Sequence, residues 1–120
     1  MKRILLAEDE EILRMLIVDT LDSEEYEVDE AADGQEAIQY FLNNEYDLVI
    51  LDYMMPTVTG LEVIEKIREL GSDVKILMLS AKSQQFEQER VMEAGANFFM
   101  AKPFSPLQLF EKVEEILDEA

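Results

Sequence analysis

The chain contains neither cysteine nor histidine in its 120 residues. Without cysteine there is no disulfide framework and no thiolate metal site. Without histidine the commonest general base, most zinc and iron sites and any Ser-His-Asp triad are excluded. Cationic residues are scarce as well. Lys and Arg number 10 against 28 Asp and Glu, a net charge of −18. A surface of that sign repels phosphate backbones and argues against direct nucleic-acid binding. Long apolar runs are missing: Ile4-Leu5-Leu6-Ala7 turns acidic at Glu8-Asp9, too short for a signal peptide, and no run reaches transmembrane length. The expectation is a soluble cytoplasmic protein with no membrane partner. Apolar residues, by contrast, make up 48% of the chain, enough for a real core in one domain spanning residues 1–120.

The apolar pattern alternates between strand and helix. Ile4 to Ala7 reads as a buried strand, and residues 10–22 place Ile12, Leu13, Leu16, Ile17 and Leu21 on one helical face. Tyr26 to Ala31 reads as an outer strand. Asp33 to Glu36 has the form of a capping box, ahead of a face built from Ala37, Ile38, Phe41 and Leu42. Asp47 to Leu51 is a third strand. Thr59 to Glu62 is a second capping box, followed by Val63, Ile64 and Ile67. Val74 to Leu79 is a fourth strand, and residues 84–94 form a helix with a thin stripe of Phe86, Val91 and Met92. Ala96 to Ala101 is the fifth strand. Ser105-Pro106 caps a last helix whose Leu109, Phe110, Val113, Ile116 and Leu117 face inward. Five βα units of this kind predict an α/β fold: a doubly wound parallel sheet with helices on both faces.

In such sheets, sites form at the carboxyl ends of the strands. Those ends carry Glu8 and Asp9, then Asp52, Ser80 and Lys102, with Pro103 following. Each has a plain structural explanation when taken singly. Asp9 fits a helix cap, Asp52 a turn, and Lys102 a solvated side chain. As a set they complement one another. Clustered carboxylates repel unless a proton or a cation sits among them, and hard oxygen ligands favour Mg²⁺ or a similar ion. A carboxylate held there can attack a phosphoryl group and form an acyl phosphate, while an ammonium and a hydroxyl bind the phosphoryl oxygens. Asp52, central in the sheet, is the expected nucleophile.

The chain resembles the receiver domain of bacterial two-component response regulators over residues 2–118. The resemblance rests on "LLAEDE", "AADGQEAI", "VILDYMMP", "LMLSA" and "FFMAKPF", five ordered pieces at fitting spacings. It implies a chemotaxis-type, flavodoxin-like sheet in strand order 2-1-3-4-5. It implies that Asp52 accepts a phosphoryl group from a histidine kinase or a histidine phosphotransfer protein. Mg²⁺ or Mn²⁺ would be held by Asp9, Asp52, Glu8 through water, and the backbone carbonyl of Met54. Ser80 and Lys102 would bind phosphoryl oxygens, and the Lys102-Pro103 peptide would be cis. Ser80 and Phe99 would act as the switch, altering partner binding at the face of the fourth helix, fifth strand and fifth helix. Kinase docking is expected around Leu13, Leu16 and Phe104. Met54 and Lys82 flank the path of a hydrolytic water and are expected to set the lifetime of the phospho-form.

Three positions depart from the commonest family pattern: Glu8 in the acidic pair, Phe99 where tyrosine is frequent, and Thr59 in "PTVTG" where aspartate is common. Two other classes compete. A haloacid-dehalogenase-type phosphatase also uses a strand-end aspartate with Mg²⁺, but its general acid would fall at Met54, which transfers no proton. A flavin-phosphate binder needs a Ser/Thr/Gly loop after the first strand, where this chain has Glu8 to Glu11.

Overall fold

The computed structural model describes the backbone of residues 1–81 and 85–118, and the side chains of those residues apart from 85–87. Lys82 and the side chain of Phe86 lie outside the described residues. Strands β1 (Lys2–Ala7), β2 (Tyr26–Ala31), β3 (Leu48–Asp52), β4 (Lys75–Ser80) and β5 (Phe98–Ala101) alternate with helices α1 (Glu11–Leu21), α2 (Gly34–Asn43), α3 (Gly60–Glu69), α4 (Gln85–Ala94) and α5 (Pro106–Asp118). The strands form one parallel sheet in the order β2-β1-β3-β4-β5. Chain order reverses between β1 and β3, which puts the switch point of the sheet at the ends of those two strands.

The sheet is buried on both faces because β1, β3 and β4 carry apolar residues at successive positions. One face meets α2, α3 and α4 through Leu5, Val49, Leu51, Ile76 and Met78. The other meets α1 and α5 through Ile4, Leu6, Ile50, Leu77 and Leu79. The cap at Thr59 is the full reciprocal box with Glu62. At α5, Ser105 and Gln108 exchange the same pair of bonds. Asp33 accepts from the Glu36 N–H, but the Glu36 carboxylate turns to the Ala32 N–H, so that box closes one residue early.

The helical faces are narrower than the sequence suggests. In α1, Ile17 and Leu21 are buried, whereas Ile12 is 80% and Leu16 44% exposed. The inward line is Leu13, partly buried, with Ile17 and Leu21, at i, i+4 spacing; Ile12 and Leu16 fall on its flank. Leu42 in α2 is likewise exposed. Asp9 is not the cap of α1. Glu10 holds that place, and it makes no side-chain capping bond. β3 and β4 run one residue further than expected, so Asp52 and Ser80 are the last residues of their strands. β5 starts two residues late. Gly95 turns the chain at φ +123°, the Ala96 N–H bonds back to Val91, and the ladder begins only at Phe98.

Candidate phospho-acceptor site

The carboxyl edge of the sheet gathers polar groups that the core has desolvated. Glu8 directly follows β1 and is 0% exposed; Asp52 ends β3 at 5%, and Ser80 ends β4 at 1%. The strands continue to hold one another past their ends. Tyr53 N–H donates to the Leu79 carbonyl at 2.8 Å, and Lys102 N–H to the Ser80 carbonyl at 2.7 Å. The second bond brings Lys102 inward from the end of β5, and the Lys102-Pro103 peptide is cis. Its Nζ donates to Glu8 Oε2 and to Asp52 Oδ1, both at 3.0 Å. Asp9 lies on the exposed side. Glu8, Asp9 and Asp52 each place a carboxylate oxygen within 4.8 Å of the others, a donor set that could hold a metal ion.

Among the described residues, three carboxylates cluster here around one ammonium, which bonds two of them. Burial, and then the Asp52 charge, push the Glu8 carboxyl above its ordinary value, outweighing the bonds from Lys102. Burial likewise raises the Asp52 carboxyl, with Lys102 opposing and Asp9 adding to the rise. Burial works to lower the Lys102 ammonium, but its bonds to Glu8 and Asp52 win, and its pKa is raised. Negative charge is in excess, and the hard-oxygen donor set fits a divalent cation such as Mg²⁺.

Most of the expected residues converge here: Glu8, Asp9, Asp52, Ser80 and Lys102 share one edge. Met54 is next to it in sequence, and its side chain points to solvent. Phe99 pairs with Met78 in the β4–β5 ladder and packs, partly buried, against the core face shared with Val91. Leu13 and Phe104 share one cleft. With Ala81, Lys102 and Pro103 they line a cleft of about 390 Å³ beside the ammonium, whereas Leu16 stands outside it.

Two residues that hold this edge together were not singled out in the sequence. A Cβ added at Gly60 would lie 2.3 Å from the Asp52 carbonyl oxygen, so only glycine lets α3 begin against the acceptor strand. The signal was the glycine closing "PTVTG". Arg14, in the second turn of α1, donates from Nη1 to the Glu8 carbonyl at 2.9 Å. Its only mark in the sequence is a lone cation after the acidic run Glu8 to Glu11.

A family model described as the response regulator receiver domain matches residues 4–114. Among curated proteins, the chain is similar to the Bacillus subtilis transcriptional regulatory protein ResD, 40% identical over 118 residues, covering 98% of this chain and 49% of that protein. It is also similar to the Bacillus subtilis alkaline phosphatase synthesis transcriptional regulatory protein PhoP, 38% identical over 116 residues, 97% of this chain and 48% of the relative. The chain thus spans about half the length of these relatives. Among solved structures, the Thermotoga maritima response regulator TrrA in complex with Mg²⁺-BeF superposes with a TM-score of 0.86 at 42% identity, covering 98% of this chain and 100% of that one. Vibrio cholerae chemotaxis protein CheY4 gives a TM-score of 0.92 at 30% identity, covering 98% and 99%.

Proposed function

The chain belongs to the response regulator receiver domain family, and on that premise we propose that Asp52 is the residue through which it accepts a phosphoryl group. Receiver domains are phospho-accepting switches of two-component signalling. The observation that carries the assignment is the position of Asp52: a buried carboxylate at the end of the central strand, 3.0 Å from the Lys102 ammonium and inside a three-carboxylate cluster. In the proposed reaction an Asp52 carboxylate oxygen attacks the phosphorus of a phosphohistidine on a kinase or phosphotransfer protein. The new O–P bond forms as the P–N bond breaks, and the electron pair returns to the imidazole nitrogen. Lys102 neutralises one phosphoryl oxygen and the Ser80 hydroxyl donates to another.

Mg²⁺ is the proposed cofactor; Asp9, Asp52, Glu8 through water and the Met54 carbonyl would hold it, and it would supply charge neutralisation at the phosphoryl oxygens. The relative solved with Mg²⁺-BeF supports that choice. Slow self-dephosphorylation is proposed in place of turnover on an external substrate. The phosphatase alternative finds no support: the residue two beyond Asp52 is Met54. Residues 1–120 are read as one receiver domain in the cytoplasm; among the described residues no helix is long and apolar enough to cross a membrane. The Leu13–Phe104 cleft is the proposed kinase-docking point. Movement of Ser80 and Phe99 is proposed to alter the α4-β5-α5 face. Regulation of phosphate lifetime is assigned to Met54 and Lys82. DNA contacts of the transcriptional relatives would fall to the half of those proteins that this chain does not match.

Acetyl phosphate with Mg²⁺ tests the core of this reading. Intact mass should show one phosphoryl group on the wild type and none on Asp52→Asn, and EDTA should block labelling. Equal gain in both proteins would overturn the assignment.

A further inference from the structure

Among the described residues, few bonds hold the loop that presents the candidate metal-ligand carboxylates. Glu8 N–H donates to the Ala31 carbonyl at 3.1 Å, extending the β1–β2 ladder by one step. Glu10 N–H donates to Glu8 Oε1 at 3.2 Å, a bond to one of the candidate ligand groups. The third tether is Arg14 Nη1 on the Glu8 carbonyl, while Arg14 Nε donates to Glu30 Oε1 on β2 at 3.2 Å. The N-cap Glu10 adds no side-chain bond. Lys102 Nζ also holds Glu8, but through the carboxylate Oε2 at 3.0 Å; of these four bonds, the Arg14 bond alone runs from a side chain outside the acidic cluster to an atom that is no metal ligand. It therefore persists when the Glu8 carboxylate turns to serve a cation.

We propose that Arg14 is the positioning residue of the metal site: its guanidinium, braced by Glu30, fixes the peptide between Glu8 and Asp9 and so aims the Asp9 carboxylate. This rests on the phospho-acceptor reading above. A planar guanidinium suits the task because two of its N–H groups reach a carbonyl and a carboxylate at fixed angles. Groups that orient metal ligands govern affinity without touching the metal.

Sign separates positioning from charge. Arg14 is a cation near a cation site, so if it acted only through its charge, removing it would tighten Mg²⁺ binding. If it positions Asp9, removing it weakens binding. The experiment is an NMR amide-shift titration with MgCl₂ alone on the wild type, Arg14→Met, Arg14→Gln and Arg14→Lys, each with its thermal midpoint measured. The Arg14–Glu30 pair is half-exposed at Glu30 and such pairs add little to stability, so the variants should fold. Arg14→Met and Arg14→Gln are expected to bind Mg²⁺ about tenfold more weakly, the lower end for ligand-orienting groups. Arg14→Lys, which keeps the charge but not the planar fork of donors, should fall between. Either neutral variant decides the matter if it folds: affinity equal to or tighter than wild type overturns the proposal. A wild type with no affinity for Mg²⁺ would overturn the phospho-acceptor reading itself, and this proposal with it.

Discussion

The two edges of the sheet bury charge in opposite ways. Toward the amino ends, Arg3 donates to Asp29 Oδ2 at 2.8 Å, the Tyr46 hydroxyl donates to the same oxygen at 2.7 Å, and the guanidinium lies 5.1 Å from the centre of the Tyr46 ring. There, one cation meets one half-buried anion, and a neutral donor completes it. At the carboxyl ends, Glu8, Asp9 and Asp52 cluster beside the Lys102 ammonium, which bonds Glu8 and Asp52; among the described residues three negative charges there meet one positive and two are left over. A matched pair has nothing to gain from a ligand and serves only to fix β1 against β2. The unmatched cluster stores repulsion that a cation would relieve. The same residue types therefore make a structural clamp at one edge and a candidate binding site at the other, and stoichiometry decides which.

Removing the ammonium should break the contrast most severely. Lys102→Met leaves Glu8 and Asp52 buried without their shared donor, and the loss of one partner in a buried ion group costs about 3 kcal/mol. The thermal midpoint at pH 7 should drop by about 10 °C in a chain of this size. Both carboxyls are already raised by burial, and more so without Lys102, so the folded protein takes up protons before the unfolded chain does. The loss should therefore shrink as pH falls toward 5. A loss that stays the same at both pH values would mean that Lys102 acts through packing alone.

Removing a carboxylate should have the opposite sign and a smaller size. The raised folded pKa values of Glu8 and Asp52 give stability that is fully present below their ordinary values of 4.5 and 3.8 and is lost as pH rises through the folded values. Asp52→Asn removes one source of that loss. Without metal, at pH 7, the variant should be more stable than wild type by about 1 kcal/mol, with a flatter pH profile. Mg²⁺ should stabilise the wild type at pH 7 and progressively less as protons compete on acidification, and it should barely stabilise Asp52→Asn. Thermal unfolding over pH 5 to 8, with and without MgCl₂, checks all three signs. A wild type whose apo stability rises with pH across that range would contradict the picture of stored repulsion.

What the sequence disclosed follows the same division. Its βα alternation gave the layers, because each buried strand is a run of apolar residues and the starts of α2, α3 and α5 carry their own capping residues. Its strand-end residues gave Glu8, Asp9, Asp52, Ser80 and Lys102, because strand register in a parallel sheet carries them to one edge. The resemblance added the strand order and the cis Lys102-Pro103 peptide. What stayed hidden depends on contacts between segments far apart in the chain. Periodicity alone cannot separate the inward line Leu13, Ile17, Leu21 from the exposed flank Ile12, Leu16, since a helix one position out of phase shows nearly the same pattern. Gly60 matters through a carbonyl eight residues earlier, and Arg14 through Glu30 on a different strand. The amino-edge clamp was equally silent, since nothing in the sequence pairs Arg3 with Asp29 and Tyr46.

That clamp supplies the smallest expected effect and the sharpest control. Tyr46→Phe removes the hydroxyl that donates to Asp29 and keeps the ring against Phe41, with centroids 6.4 Å apart, and beneath Arg3. Asp29 retains its bond from Arg3 and is partly solvated, so the cost should be about 1 kcal/mol, that of one hydrogen bond. Burial, followed by the bond to Asp29, raises the Tyr46 phenol above its ordinary value of 10.0. Above that pH the unfolded chain releases the phenol proton while the folded protein keeps it, and stability falls. Tyr46→Phe should lose this component of alkaline destabilisation while keeping the small deficit at pH 7. Mg²⁺ affinity and acetyl phosphate labelling should match wild type, because a neutral donor lost at the amino edge leaves the charge count at the carboxyl edge unchanged. A change in Mg²⁺ affinity in Tyr46→Phe would show that the clamp and the acceptor site communicate through β1, and the division of the sheet into two independent edges would fail.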